Sequence, residues 1–354
     1  MTQYIIRRLL LIPLILMGVS ILIFGMLSFL SPAERASLYV RDIPKNEHVM
    51  DSLIKRYGLD DPFFVQYFRW LIGHEDPETG EMIGGIIRGN FGYSRSASQN
   101  IVDLIKRRFP ATVELALYSI VPLIGVGTWL GIVAARNHNN IIDQIARLFG
   151  ILGYSFPSFV FGLLMLMFFY AQHQIFPPDR LSNWAMLEVS SEAFVSYTSL
   201  VTVDALINGR FDIFLDALRH MVLPILTLSY INWALYLRIM RSSMLEAMNQ
   251  DYVVTARAKG VRERDVFNKH AKPNALIPIV TMSGMTIAGL LSGVTITETI
   301  FIYPGIGSAA AAASAQLDVI TVLSLVLLTG FILLIANLIV DITYAFLDPR
   351  VRLS

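Results

Sequence analysis

Residues 251–280 read DYVVTARAKGVRERDVFNKHAKPNALIPIV, a polar passage set between two long apolar runs. It carries Arg257, Lys259, Arg262, Arg264, Lys269 and Lys272, with Gly260 near its centre. A chain whose flanking sequence suits lipid offers a folded surface to water at this point. Two short helices are expected: one from Asp251, as N-cap, to Lys259, and one from Arg262 to Lys272, stopped by Pro273. Gly260 stands where a left-handed helix-ending residue belongs. Val254, Ala258, Val261, Val266 and Phe267 make a modest apolar side. The pattern alone fits either an amphipathic hairpin on anionic headgroups or a loop that docks a protein.

Outward from that loop, the chain is 55% hydrophobic and 16% charged over 354 residues, with a mean hydropathy of +0.57. Soluble domains hold about a quarter charged residues, so this composition points to an all-α integral membrane protein. The net charge of +1 provides no basic excess for a nucleic-acid partner. There is no cysteine, which excludes disulfides and thiolate metal sites. Only six histidines occur, none at paired ligand spacing, so no metal site is expected.

A helix needs about 20 apolar residues to cross the hydrocarbon core. Residues 9–30, 111–135, 148–171, 221–237, 275–297 and 319–344 qualify, giving six transmembrane helices. The first lacks a small-residue cleavage site and reads as a permanent anchor. Basic residues in short loops set orientation. With the N-terminus inside, Arg7, Arg8, Arg136, Arg147, the 238–273 loop, Arg350 and Arg352 fall in the cytoplasm, fourteen basic residues against six acidic ones. The expected topology is N-in/C-in. The resulting units are an anchor (1–30), an extracytoplasmic segment (31–110), a domain of five helices with the cytoplasmic loop (111–347) and a tail (348–354).

In the extracytoplasmic segment, Asp61 and Pro62 read as N-cap and first helical position. Phe64, Tyr67, Phe68 and Leu71 then fall on one helical face. Residues 74–82 read as a turn, and 100–108 as a surface helix ended near Pro110. The second large outer segment, 172–220, contains Pro177 and Pro178 and a helix near 213–219. The alanine run 309–313 suits close helix packing. Glu298, Asn337 and Asp341 are candidates for a pathway because polar groups inside spans are costly, about 2.5–3.5 kcal/mol for a central charge. Asp341 and Glu114 near helix ends escape most of that cost and also fit a structural role. Pro122, Pro157 and Pro278 are candidate kinks.

The run Tyr252-Val-Val-Thr-Ala-Arg-Ala-Lys-Gly260, with His270, Asn274-Ala275 and Pro278, resembles the cytoplasmic loop of ABC-importer permeases, closest to the dipeptide/oligopeptide permease branch. Further likeness lies in Tyr4-Ile-Ile-Arg-Arg8, Tyr57-Gly-Leu-Asp-Asp-Pro62, Gly89-Asn-Phe-Gly-Tyr-Ser94 and Arg108-Phe-Pro-Ala-Thr-Val-Glu-Leu115. It continues in Ser155-Phe-Pro-Ser-Phe159, His220 with Leu223-Pro224, Tyr303-Pro-Gly305 and Leu347-Asp-Pro-Arg350. The resemblance covers nearly the whole chain. It departs from the wider superfamily at Val254, which stands where the loop's "EAA" motif has its glutamate.

The resemblance implies a type I ABC-importer permease fold in a prokaryotic inner or plasma membrane. Tyr252, Thr255, Ala256, Arg257, Ala258, Lys259, Gly260, Val261, His270 and Asn274 would then form a coupling helix and its support, docked on an ATPase. It further implies a second homologous permease subunit, two ATPase subunits holding ATP and Mg, and an extracytoplasmic substrate-binding protein. Di- or oligopeptides are the implied substrates; oligosaccharides, nickel chelates and glutathione are carried by related permeases. From the residues themselves, no GxxxxGK(S/T) phosphate loop exists, so this chain is expected to bind no nucleotide cofactor and to be no enzyme. An ion-coupled secondary transporter would show internal repeats and mid-membrane ionisable groups, and an intramembrane protease GxSG, GxGD or HExxH. Neither set is present.

Overall fold

Lipid offers no hydrogen bonds to a free backbone N–H or C=O, so apolar runs that enter it fold as helices. The computed structural model is mostly helical and describes residues 2–37, 47–75, 80 and 82–347. In chain order the helices are α1 (Thr2–Leu27), α2 (Pro32–Ser37), α3 (Glu47–Tyr57), α4 (Phe63–Ile72), α5 (Ile101–Arg136), α6 (Ile141–Ser155) and α7 (Ser158–Met165). They continue as α8 (Asn183–Val189), α9 (Val201–Ile207), α10 (Phe211–Met248), α11 (Asp251–Ala258), α12 (Glu263–Asp265) and α13 (Lys272–Ala275). The last are α14 (Ile277–Leu291), α15 (Thr295–Ile300), α16 (Ile306–Ala315) and α17 (Val319–Leu347). Two short antiparallel ribbons pair β1 (His74–Glu75) with β2 (Met82–Ile83) and β3 (Tyr93–Ser94) with β4 (Gln99–Asn100). The tail 348–354, with Arg350 and Arg352, and residues 76–79 and 81 of the expected turn lie outside the described residues.

Among the described residues, α1, α5 and α17 are each long and apolar enough to cross a bilayer. Two more candidates are bent pairs: α6 with α7, broken at Phe156 and Pro157, and the 263–275 stretch with α14, bent by 43°. The expected 148–171 and 275–297 spans are therefore broken rods. The expected span 221–237 is only the middle of α10, whose 38 residues reach about 57 Å. Arg219 and Arg238 flank an uncharged stretch, 220–237, that carries His220, Asn232 and Pro224. It is sheathed by α5, α6 and α14, so its sequence answers to protein neighbours more than to lipid.

Other boundaries moved for local reasons. Residues 100–108 do not form a separate surface helix; they are the first turns of α5, which runs through Pro110 and Pro122. Glu114 accordingly sits well inside α5, beyond reach of a favourable helix end. Pro62, not Asp61, occupies the cap position of α4, and Asp61 instead pairs with Arg69. On α4 the expected face divides. Tyr67 is buried against Phe24 of α1 and hydrogen-bonds Ser20 at 2.7 Å, while Phe64 and Phe68 face outward.

The α5–α10 contact forms the backbone of the bundle. A Cβ added at Gly127 would stand 2.7 Å from Tyr236 Cβ, and one at Gly131 would stand 2.6 Å from Met240 Cβ and 2.8 Å from the Leu237 carbonyl oxygen. This GxxxG spacing lets the two helix backbones approach closely. Trp233 Nε1 donates to the Pro122 carbonyl at 2.8 Å, and Tyr236 Oη meets Thr286 Oγ1 at 2.9 Å, tying α14 to the pair. At one end Arg8 lies 3.0 Å from Asp341, so the start of α1 and the end of α17 meet. At the other end Leu181, Ala185, Phe194, Val201, Ala205, Ile213 and Ala217 form a separate small core, a helical cap.

Gly131→Val forces a branched side chain into the α5–α10 seam and is expected to cost about 1–3 kcal/mol. The midpoint of thermal unfolding in detergent should fall by several degrees. Gly150→Ala, whose Cβ would meet only Leu237 Cδ2 at 3.9 Å, should leave it unchanged.

Candidate functional site

The 249–275 segment is built on the end of α10. Asn249 closes α10, with its Nδ2 donating to the Leu245 carbonyl at 3.0 Å. Gln250, rather than Asp251, takes the extended cap position of α11, and its carbonyl accepts from Val253 and Val254. At the other end Gly260 has φ +75°, its N–H reaches the Arg257 carbonyl at 2.9 Å and the Val261 N–H reaches the Ala256 carbonyl at 3.2 Å. These two bonds form a Schellman ending, with Val261 packing back toward Ala256. A Cβ at Gly260 would touch nothing within 4 Å. Glycine is needed there for its backbone conformation alone.

The second half does not stop at Pro273. After α12 the chain takes a wide π-helical turn, Val266–Ala271, where the Lys272 N–H bonds the Phe267 carbonyl five residues back. Pro273 then sits in the first turn of α13, where its missing N–H costs nothing.

Burial sorts the loop into two faces. Val253, Val266 and Ala271 are fully buried, Ala256 and Ala275 nearly so, and they join one core with Met240, Met244 and Ala247 of α10 and Ala135 of α5. The loop is therefore an extension of the helical bundle. Of the ten candidate docking residues, Tyr252, Thr255, Arg257, Ala258, Lys259, Gly260 and Asn274 are exposed. Ala256 is buried, and Val261 and His270 are half-buried. Val254 and Ala258, expected on the inner apolar side, point outward, with Val254 56% exposed. The helical period turns Val254 and Ala258 away from the side taken by Val253 and Ala256, which occupy the inside.

Arg257 clamps the Gly260 turn. Its Nη2 and Nε donate to the two oxygens of Glu263 at 2.6 and 3.2 Å. These hydrogen bonds raise the Arg257 pKa further above its ordinary value, so the guanidinium stays charged. Lys259 makes no ion pair among the described residues. Asn274 Nδ2 donates to the His270 carbonyl at 2.9 Å.

Beside the loop base lies a charged knot that the sequence reading missed. Asp143, fully buried, accepts from Arg241 Nε at 2.6 Å, Arg241 Nη2 at 2.8 Å and the Asn139 N–H at 3.1 Å. Arg147 stands 3.8 Å away. The signal was a lone acid among Arg136, His138 and Arg147; its partner lies 98 positions away.

The pathway candidates behave differently. Glu298 is fully buried and accepts from Thr112 Oγ1 and the Ser308 N–H, both at 2.8 Å, joining α15, α5 and α16. Asp341 pairs with Arg8, and Asn337 is half-buried on α17. Glu114 receives Arg180 at 2.6 Å and Thr202 at 2.7 Å, clamping the cap to α5. Within the cap, Asp204 is buried, which raises a carboxyl pKa, yet hydrogen bonds from Thr198 and Ser196 and the Tyr197 N–H hold it below its ordinary value. No group of three or more His, Asp or Glu that could hold a metal occurs among the described residues.

Residues 127–353 match the binding-protein-dependent transport system inner membrane component family, and residues 1–116 match the N-terminal region of such membrane components. The chain belongs to that family. It is 32% identical over 355 residues to a dipeptide transport system permease protein of Escherichia coli strain K12, spanning 99% of both chains. It is likewise 32% identical over 354 residues to a di/tripeptide transport system permease protein of Pseudomonas aeruginosa, spanning 99% of both. An oligopeptide transport system permease protein of Bacillus subtilis is 31% identical over 353 residues, 99% of this chain and all of that one. The chain is an inner membrane transport component.

Gly260→Val places a β-branched residue in the left-handed region at about 1–2 kcal/mol. Trypsin cleavage of the folded protein at Arg257, Lys259, Arg262 and Arg264 is expected to speed up roughly tenfold. Gly260→Asn, which tolerates that conformation, should stay within about threefold of the parent.

Proposed function

We propose that this chain is one of two permease subunits of an ABC importer for di- or oligopeptides. It forms half of the path and couples it, through α11 and the Gly260 turn, to ATPase subunits. The observation that carries the reading is the two-faced loop. Its inner face is continuous with the α5–α10 core, while Tyr252, Val254, Ala258 and Lys259 stand exposed on the other side. Apolar side chains held in water on a rigid base suit a partner that covers them. Family membership, and the peptide permeases among its relatives, make an ATPase cleft the fitting partner and peptides the fitting cargo.

The chain lacks a phosphate loop, so the energy must enter through that contact. ATP-driven closure would press the two coupling loops together. Because the loop shares its core with α5, α10 and α14, that displacement reaches the spans as a rigid-body tilt. Nucleotide can drive it only to the extent that its contacts differ between the two states. A second homologous permease would supply the facing wall, and an extracytoplasmic binding protein would deliver cargo at the cap.

Six membrane crossings with both termini in the cytoplasm fit this assignment, counting α1, α5, the bent α6–α7 pair, α10, α14 and α17. The Arg8–Asp341 pair supports placing both termini on one side, and the basic knot around Asp143 and the loop suits the inner face.

Val254→Asp tests the coupling role. On a free face a charge at this exposed position is harmless; buried in a docked interface it costs several kcal/mol. Co-purification of the ATPase subunits and peptide uptake should both fall by at least about tenfold, with the thermal stability of the isolated chain unchanged. Normal assembly and uptake would sink the coupling role. For orientation, the absence of native cysteine gives a clean background. Leu187→Cys should react with an impermeant maleimide in intact cells, and Lys259→Cys only after lysis.

A further inference from the structure

Three helix irregularities converge on one side of the bundle. α6 and α7 break at Phe156–Pro157, α10 carries Pro224, and the chain unwinds between α14 and α15, where Gly293 has φ +102° and Val294 is non-helical. Between them lies an open groove of about 390 Å³, lined by Ser158, Thr227, Asn232, Val294, Thr295 and Thr297 with flanking apolar side chains. Its depth follows from helix geometry. α14 rises about 22 Å over its 15 residues before unwinding, short of the roughly 30 Å hydrocarbon thickness. Asn232 and Thr227 lie about 14 and 21 Å along α10 from Arg241, at the knot with Asp143.

Unwound backbone and exposed hydroxyls at that depth are tolerated only against protein or in a water-filled cavity. The groove therefore does not face lipid. Thr227 adds an independent sign: the residue lines the groove, and its buried Oγ1 has no hydrogen-bond partner among the described residues. The lining contains no Asp, Glu, Lys, Arg or His.

We propose that this groove is the chain's substrate-contact surface within the path, and that it holds peptides through neutral hydrogen bonds to their backbone, without regard to side-chain charge. The inference rests on the peptide-importer reading and specifies its site. Hydroxyls, the non-helical backbone at Val294 and the Asn232 amide, whose Nδ2 also donates to the Leu228 carbonyl at 2.7 Å, offer donors and acceptors that match the amides present in every peptide. A fixed charge on this lining would favour peptides of the opposite sign and repel those of its own. A conduit needs contacts favourable enough to admit cargo and weak enough to release it.

The test installs charge after assembly. Thr295→Cys, with Ser158→Cys as a second position, is introduced into the complete transporter and treated with a negatively charged sulfonatoethyl or a positively charged trimethylammonioethyl methanethiosulfonate. The untreated parent should take up Ala-Glu and Ala-Lys alike. The sulfonate should raise the Ala-Lys to Ala-Glu uptake ratio by about tenfold, and the ammonium should lower it by as much. The parent assembly exposed to both reagents serves as the control for cysteines on partner subunits. Equal loss of both peptides with either reagent, or no effect at either position, would overturn this inference while leaving the importer reading intact. A parent that assembles with its partners yet accumulates neither peptide would overturn the importer reading and this inference with it.

Discussion

Everything in this molecule is hung on the approach of α5 to α10. Gly127 and Gly131 remove the side chains that would hold the two backbones apart, and Tyr236 and Met240 occupy the space. Without a hydrophobic force between helices in lipid, such close van der Waals packing is what holds spans together. α10 runs for 38 residues, about 57 Å. Near its N-terminal end Asp216 accepts from the Ser182 N–H at 2.7 Å and from Ser182 Oγ at 2.7 Å, anchoring the cap. At its C-terminal end it runs through Asn249 into α11. One stiff rod thus joins the surface where cargo would arrive to the surface where energy would enter.

Charge is placed with corresponding economy. The buried acids are each answered: Asp143 by Arg241, Glu114 by Arg180 and Thr202, Glu298 by Thr112 and Ser308. Asp318 gathers Ser94, Ser96 and Thr321, which fastens the β3–β4 ribbon to the start of α17. An unpaired buried charge is strongly destabilising, so these knots mark where irregular segments are bolted to the rods. They cluster at the two ends of the bundle. The middle, where the helices break, is left with hydroxyls, one amide and open backbone.

The 249–275 loop was the most legible part of the chain, because its signals are local. The polar passage between apolar runs, the glycine after Lys259 and the absence of a phosphate loop all follow from neighbours in sequence. Its inner and outer faces were misjudged by one residue. Val253 and Val254 are equally apolar, and only the direction of the α10 core decides which of them turns inward. Pro273 was misread for a related reason: a proline ends a helix in isolation, whereas here a π-helical turn shifts the register so that it begins one.

The sequence by itself determined that this is a helical membrane protein with one cation-rich loop and no GxxxxGK(S/T) pattern, since hydropathy, charge bias and motifs are read from neighbours along the chain. Only the tertiary structure decided which polar groups meet. Glu298 and Asp341 stand apart in sequence from the partners they find, Thr112 and Arg8, which lie on distant helices. Thr227, Asn232 and Thr295 are unremarkable in sequence and meet only because two broken helix pairs, α6–α7 and α14–α15, pack against α10. Long-range pairing of this kind leaves no local trace, because hydrogen bonds between distant segments impose no spacing on either one.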